Sequence, residues 1–393
     1  MRIDMGEYRR GTKADIENIL DFADMVFSMS SGSTDFEEIL PKAYSGERSD
    51  VVMHHMICEE GTIRALIDVY PETLEIDGQF LKCAYIGTVS VHHKSRGKGY
   101  MIELMAKAEE DLRAQGFDML ILDESRKRYQ HYGFEKSGIK YCFNLTENSI
   151  RNSGIQETDI SGLHFELIEN EDDELLDTIY GFYQKRHVII RDRESFYLCT
   201  KSWSADLYAV MQKEQCIGYL NVSADGASVY EIGLAQEQML PAVLAAYMSG
   251  MDIEELGVNV GMDEMDKIPF LDEVSDYYTM SMSHQIKILD YEHTLAFLFL
   301  WKRQYSTLAD GHYVMGIEEA DVQTCYKIDV SGKNICVEQT TEAPNAVFDR
   351  LSLVRKLTTG YYYAVMLNEK EALRNAPSDW FPLPFFLPEA DAF

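Results

Sequence analysis

The sequence predicts a mixed α+β and α/β architecture in two or three units, and three observations carry that expectation. The chain has 393 residues, of which 46% are hydrophobic and 11% aromatic, so more than one core can be buried. Residues 1–146 read as helix, antiparallel strands, strand, glycine loop, helix, strand, helix and strand. A polar stretch at 147–162 (ENSIRNSGIQETDISG) then reads as a linker, after which a similar order of elements returns.

Each element has a local reason. TKADIENILDFADMVF (12–27) places Ile16, Ile19, Leu20 and Phe27 at helical spacing, and TDFEEILPKA (34–43) reads as a second helix. VVMHHMICEE and TIRALIDVYP flank Glu60-Gly61, a hairpin signal. FLKCAYIGTVSV (80–91) is a long apolar strand, and YMIELMAKAEEDLRAQ (100–115) is a helix closed by Gly116. FDMLILD (117–123) is a buried strand, and SRKRYQHY (125–132) is a short helix with Ser125 as N-cap and Gly133 after it.

In residues 163–283, helices are expected at ELLDTIYGFYQKR and QMLPAVLAAYMSG, and strands at DLYAVMQKE and CIGYLNVSA. From 284 onward the expected order is helix YEHTLAFLFLWKRQY, strands HYVMGIEE, TCYKIDVS and NICVEQTTE, and helices PNAVFDRLSLVRKLTTG and EKEALRNA. The chain closes with WFPLPFFLPEADAF, whose apolar residues and prolines predict a packed rather than frayed end.

Composition excludes some functions. With 66 acidic and 36 basic residues the formal charge is −30, which argues against nucleic acid and suits solubility or a cationic substrate. Seven cysteines without a C-x-x-C pair predict free thiols and no metal site, and MRIDMGEYRRGTKAD lacks a leader's apolar region. No run is long enough to span a bilayer, so a cytoplasmic protein with no membrane partner is expected. His54 and His55 are neighbours on a strand and face opposite ways, which disfavours a metal pair.

The loop VSVHHKSRGKGYM (89–101) is where chemistry is expected. A strand running through glycines into a helix presents first-turn N–H groups and a helix dipole to an anion. Gly97 and Gly99 allow close backbone approach, and Arg96 and Lys98 add charge, so a diphosphate fits. Neither the P-loop pattern nor the dinucleotide G-x-G-x-x-G is present.

R-G-K-G-Y-M (96–101) instead resembles the R/Q-x-x-G-x-G/A motif of the GCN5-related N-acetyltransferases (GNAT), with Met101 where glycine or alanine is usual. RYQHYGFEKSG (128–138) resembles that family's Y-x-x-x-G-F element. The resemblance implies acetyl-CoA as co-substrate, held by Val89, Ser90, Val91, Arg96, Gly97, Lys98, Gly99, Tyr100 and Met101, with Glu124 and Ser125 beside the pantetheine arm. The side chains of Val89 and Val91 serve the strand core in any case, and Glu124 and Ser125 also fit an ordinary helix start.

Across the whole chain the layout is similar to the enhanced-intracellular-survival (Eis) family. That resemblance implies a GNAT domain at 1–150, a degenerate GNAT-like domain at 151–283 and a sterol-carrier-protein-like α+β domain at 284–393. It implies a homo-oligomer, a hexamer, acting on an amine of a cationic small molecule of aminoglycoside or polyamine type. It also implies Tyr129 as general acid and the terminal carboxylate of Phe393 as general base. A free α-carboxylate titrates at about 3.3–3.7, so it needs an apolar cleft to become a useful base.

Asp123, Glu124, His92 and His93 are the other candidate bases, and Phe27, Asp35 and Phe36 are candidate substrate-wall residues. Two alternatives stay open: an acyltransferase acting on peptide or protein amines, and a non-enzymatic binder of an apolar ligand regulated by acetyl-CoA.

Overall fold

The computed structural model describes residues 6–32, 34–45, 50–123, 125–185, 188–319, 321–359, 373 and 376–393. The first sheet starts with β1 (Glu7–Arg10), β2 (Met53–Glu59), β3 (Thr62–Ile76) and β4 (Gln79–Val91), all antiparallel. Between β1 and β2 run α1 (Ile16–Ser31), α2 (Phe36–Ile39) and α3 (Pro41–Tyr44). The single helix expected at 34–43 is thus two turns, because Pro41 cannot continue α2 and instead opens α3. Helix α4 (Tyr100–Ala114) crosses over to β5 (Met119–Leu122), which pairs parallel to β4. Then come α5 (Arg126–Tyr129) and β6 (Glu135–Lys136).

The next strand, β7 (Lys140–Thr146), leaves this sheet for the second one. Two short helices, α6 (Glu147–Asn152) and α7 (Glu157–Ile160), occupy the expected linker; the Thr146 hydroxyl starts the first by accepting from the Ser149 N–H. The second sheet is built from β8 (Leu163–Leu167), β9 (Asp206–Gln212), β10 (Gln215–Val222), β11 (Ser228–Leu234) and β12 (Glu255–Gly261). Its helices are α8 (Leu176–Tyr183), α9 (Arg193–Lys201), α10 (Leu240–Met251) and α11 (Ile268–Val274), and its edge strand is β13 (Tyr277–Ser281).

The two sheets share one plan. Their strand orders are β1-β2-β3-β4-β5-β14-β6 and β8-β9-β10-β11-β12-β7-β13, each with one parallel pair, β4·β5 and β11·β12. Strand β14 (Gln285–Ile288) occupies in the first sheet the position that β7 occupies in the second. The units have therefore exchanged one strand each, and the sheets cross both boundaries drawn at 150 and 283. Each sheet thus completes its ladder with the strand that follows the other sheet's edge strand in sequence.

Helix α12 (Tyr291–Tyr305) leads to a third sheet of β15 (Gly311–Glu319), β16 (Val322–Ser331), β17 (Asn334–Thr340) and β18 (Ala346–Asp349). The helix expected over 344–360 is divided: AVFD pairs parallel to β15, and α13 (Arg350–Thr358) begins only where Asp349 accepts from the N–H groups of Leu351 and Ser352. The helix expected at EKEALRNA lies, except for Leu373 and Ala376, outside the described residues. Tail residues 380–393 run back between the sheets, where Trp380, Leu383, Phe385, Phe386 and Leu387 are buried. Among the described residues no helix is long and apolar enough to cross a membrane, and all seven cysteines are free thiols.

Candidate functional site

Strands β4 and β5 pair only from Cys83↔Met119 to Tyr85↔Ile121 and then part. Beyond Tyr85, the edge of β4 that faces β5 has no ladder partner among the described residues. The bulge lies here too: Asp68 faces Gly87 and Leu66 faces Ser90, so Thr88 and Val89 together oppose Ile67, and Thr88 takes φ +48°. A buried polar cluster holds the bulge. Tyr70 Oη and Thr88 Oγ1 are 2.5 Å apart, and Tyr44 Oη lies 2.7 Å from Tyr70 Oη and 2.8 Å from Thr88 Oγ1. Tyr44 donates to Asp68 at 2.8 Å, and Asp68 also meets His54 Nδ1 at 2.7 Å. Burial pulls the His54 pKa down, but the Asp68 carboxylate overcomes it and the net shift is upward.

The glycine loop opens α4 directly behind β4. Gly97 and Gly99 take φ +82° and +87°, and a Cβ at either would meet open space, so the conformation rather than crowding requires glycine. Arg96, Gly97, Lys98 and Gly99 are exposed around the start of α4. Arg96 makes no ion pair among the described residues, whereas Lys98 is 2.5 Å from Glu59 Oε1. Tyr100 is buried and donates to Glu59, while Met101 is half-buried. Ser90 is buried and donates to the Thr88 carbonyl, and Val89 and Val91 are half-buried. A groove of about 310 Å³ runs beside α4, lined in part by Ile86, Met105, Leu120, Tyr132 and Phe134.

The candidate catalytic groups lie on opposite faces of the sheet. Tyr129 is buried at the end of α5 against Tyr132 and Phe134, in the cluster with Ile86 and Leu122. Phe393 lies on the other face, its ring stacked on Tyr70 at 4.2 Å and tilted against Tyr85 at 5.5 Å. A Cβ added to Gly87 would lie in ordinary contact, 3.4 Å, with both the carbonyl carbon and oxygen of Phe393 and would run into the Tyr70 ring at 2.8 Å, so the end of the tail lies directly against β4.

The wall candidates reach the same place through aromatic contacts. Phe27 meets Phe36 at 4.9 Å, Phe36 meets Tyr44 at 6.2 Å, and Tyr44 meets Tyr70 at 6.3 Å. Asp35 is exposed and caps α2, accepting from the Glu38 N–H. His92 and His93 stack on each other at 4.4 Å at the loop. His54 and His55 point apart, the latter to Tyr8 Oη at 3.0 Å. Ser125 precedes α5, but its side chain does not cap the helix, and Glu124 lies outside the described residues.

Sequence reasoning missed Tyr44, Tyr70, Tyr85 and His284. Tyr85 donates to Asp123 at 2.8 Å, and its ring lies against that of Phe393. His284, just before β14, is buried between Asp123 (2.6 Å from Nδ1) and the Leu387 carbonyl (3.1 Å from Nε2). With Asp123 ionised, both partners only accept, so both ring nitrogens carry protons. Burial opposes that charge, yet Asp123 and the carbonyl raise the His284 pKa, while Asp123 is held below the ordinary carboxylate range. No local signal marks His284, because strand exchange alone brings it to the first sheet. Among the described residues no group of three His, Cys, Asp or Glu side chains could hold a metal ion.

Comparison with known proteins agrees with this geometry. Residues 7–137 match the family model described as an acetyltransferase (GNAT) domain. No curated protein matches the sequence. The fold is similar over nearly all of both chains to three solved structures. A GCN5-related N-acetyltransferase from Anabaena variabilis has 14% identity, 98% and 100% coverage and a TM-score of 0.71. A probable N-acyltransferase from Enterococcus faecalis has 13% identity, 97% and 98% coverage and a TM-score of 0.70. Eis1 from Mycobacterium abscessus has 14% identity, 98% and 100% coverage and a TM-score of 0.66. The first sheet, its parted strands and the glycine loop of this chain therefore make up an acetyltransferase (GNAT) domain, and the chain is an acetyl-CoA-dependent acetyltransferase.

Proposed function

We propose that the chain is an Eis-type N-acetyltransferase that moves an acetyl group from acetyl-CoA to an amine of a cationic small molecule, of aminoglycoside or polyamine type. The pyrophosphate would lie on the loop at Arg96, Gly97, Lys98 and Gly99, and the pantetheine between β4 and β5 along Val89–Val91. The amine nitrogen attacks the thioester carbon while backbone N–H groups of the bulge stabilise the oxyanion. The C–S bond then breaks, Tyr129 protonates the departing thiolate, and the carboxyl group of Phe393 accepts the proton lost by the amine. The observation that carries this reading is Phe393 lying beside Gly87, where β4 and β5 part.

The net charge of −30 supports a cationic acceptor. The same reading takes 1–150, 151–283 and 284–393 as functional units, the last sterol-carrier-like, in a cytoplasmic homo-oligomer.

The test is CoA release with a panel of aminoglycosides, polyamines and lysine peptides, comparing the chain with a form bearing a Gly-Ser extension after Phe393. A fall of about 10- to 100-fold in kcat, with acetyl-CoA affinity retained, is expected from displacing a proton acceptor. Unchanged turnover in the extended form would remove the tail as base, and turnover on peptides alone would move the acceptor class. A second expectation concerns the loop. Gly99→Val forces a branched side chain into φ +87°, and a cost of about 1–2 kcal/mol on the bound loop predicts about 5- to 30-fold weaker acetyl-CoA binding by equilibrium titration.

A further inference from the structure

The end of the tail is gripped by two buried cations from different units. Lys42 on α3, only 1% exposed, donates to the carbonyls of Ala390 and Ala392 at 2.6 Å each, and its ammonium lies 3.8 Å over the Phe393 ring. Arg191, just before α9, is buried in the second unit and holds Asp391 in a fork, Nε to Oδ1 at 2.8 Å and Nη2 to Oδ2 at 2.9 Å. Its Nη2 also lies 2.7 Å from Glu231 Oε2 on β11, whose Oε1 accepts from Tyr219 on β10 at 2.6 Å. Trp203 Nε1 adds a bond to the Ala392 carbonyl at 3.0 Å.

Stability is a poor reason for this arrangement. Arg191 and Glu231 already form a neutral pair, and bringing a second carboxylate out of water costs free energy that apolar packing would not. What a planar fork supplies is orientation, since it fixes both distance and angle. Asp391 is close enough in sequence to Phe393 that the intervening chain spans at most about 7 Å, so fixing one confines the other.

We propose that Arg191 and Asp391 are positioning residues, through which the second, loop-less sheet holds the end of the tail in the reaction site of the first. The inference rests on the reading of Phe393 as proton acceptor. It gives the second unit a part in the reaction although no glycine-cation loop precedes α10.

Asp391→Asn tests it, because asparagine keeps the shape and leaves Arg191 paired with Glu231. The readouts are kcat on the best amine of the panel, the pH profile of kcat, acetyl-CoA affinity, thermal unfolding and the rate at which carboxypeptidase releases Phe393. Expected are a fall in kcat of about 10-fold or more, acetyl-CoA affinity within about twofold, faster release of Phe393, and an acidic limb shifted to lower pH as the carboxyl group becomes hydrated. If Asp391→Asn does not fold, Trp203→Phe carries the test, with a smaller change in the same direction expected. A normal kcat, profile and release rate, in a protein whose Gly-Ser-extended form is inactive, would overturn the positioning role alone. An extended form with full turnover would overturn the proton-acceptor reading and this inference with it.

Discussion

Gly138→Ala is expected to remove turnover almost completely while acetyl-CoA still binds. Gly138 follows β6 at φ +71°, in the left-handed region, and a Cβ there would lie 1.7 Å from the carbonyl oxygen of Phe385 and 2.8 Å from its carbon. The obstacle is backbone, so no side-chain rotation relieves it. The conformation alone costs about 1–2 kcal/mol in any L-residue, and the contact adds the cost of lifting the tail. The tail at Phe385 leads directly to Leu387, which accepts from His284, and then to Asp391 and Phe393. Displacement of about 1 Å at a reacting group can cost about 100-fold in rate, and this clash demands more than that. The glycine loop and α4 lie elsewhere in the N-terminal unit, so acetyl-CoA affinity should stay within about threefold of its original value. Steady-state kinetics beside equilibrium titration decides it; a Gly138→Ala protein with normal kcat would mean that the tail has no part in the reaction.

Glu135→Ala is expected to lower the stability of the chain by about 3 kcal/mol at neutral pH, near the low end for breaking a buried ion pair. The Glu135 side chain is fully buried and receives Arg126 at 2.5 and 2.8 Å, Gln130 at 2.8 Å and Arg355 at 2.5 Å. It thereby ties α5, which carries Tyr129, to α13 of the third unit. Arg126 and Arg355 keep 30% and 15% side-chain exposure, so water recovers part of the loss when the carboxylate goes.

The effect has a pH signature with a definite sign. Burial alone would raise the Glu135 pKa, but Arg126 and its other partners hold it down at about 2, against an ordinary 4.5. A depressed carboxylate contributes stability above its unfolded pKa and loses it as pH falls toward the folded value. The difference in thermal unfolding between the two proteins should therefore be full at neutral pH and shrink between pH 4.5 and about 2. A constant difference across that window would show that Glu135 acts through packing rather than charge.

The parts of the site that were legible are those made by neighbours in sequence. The hairpin turn at Glu60-Gly61, the loop at 92–99 and the following helix depend on residue types within a few positions of each other. Helix α12 matched its expected bounds because its caps are local, with Asp290 accepting from the His293 N–H. The packed tail was legible from its apolar residues, since the hydrophobic effect does not need to know its partner. Short strands such as Gln285–Ile288 and Ala346–Asp349 were missed, because four residues carry too little periodicity to be told from a turn or a helix start.

The sequence by itself determined that a glycine-cation loop opens a helix behind a long strand, and that the chain's last residues are buried. Both follow from backbone conformation and apolar content, which act locally. Only the tertiary structure decided which residues meet the tail that ends in Phe393. Tyr70 and Tyr85 come from the first sheet, Arg191 and Trp203 from the second unit, and His284 from the strand that the two units exchange. Those contacts join residues far apart along the chain, and their distances and charges are set by sheet pairing and shared burial, for which a linear pattern holds no record.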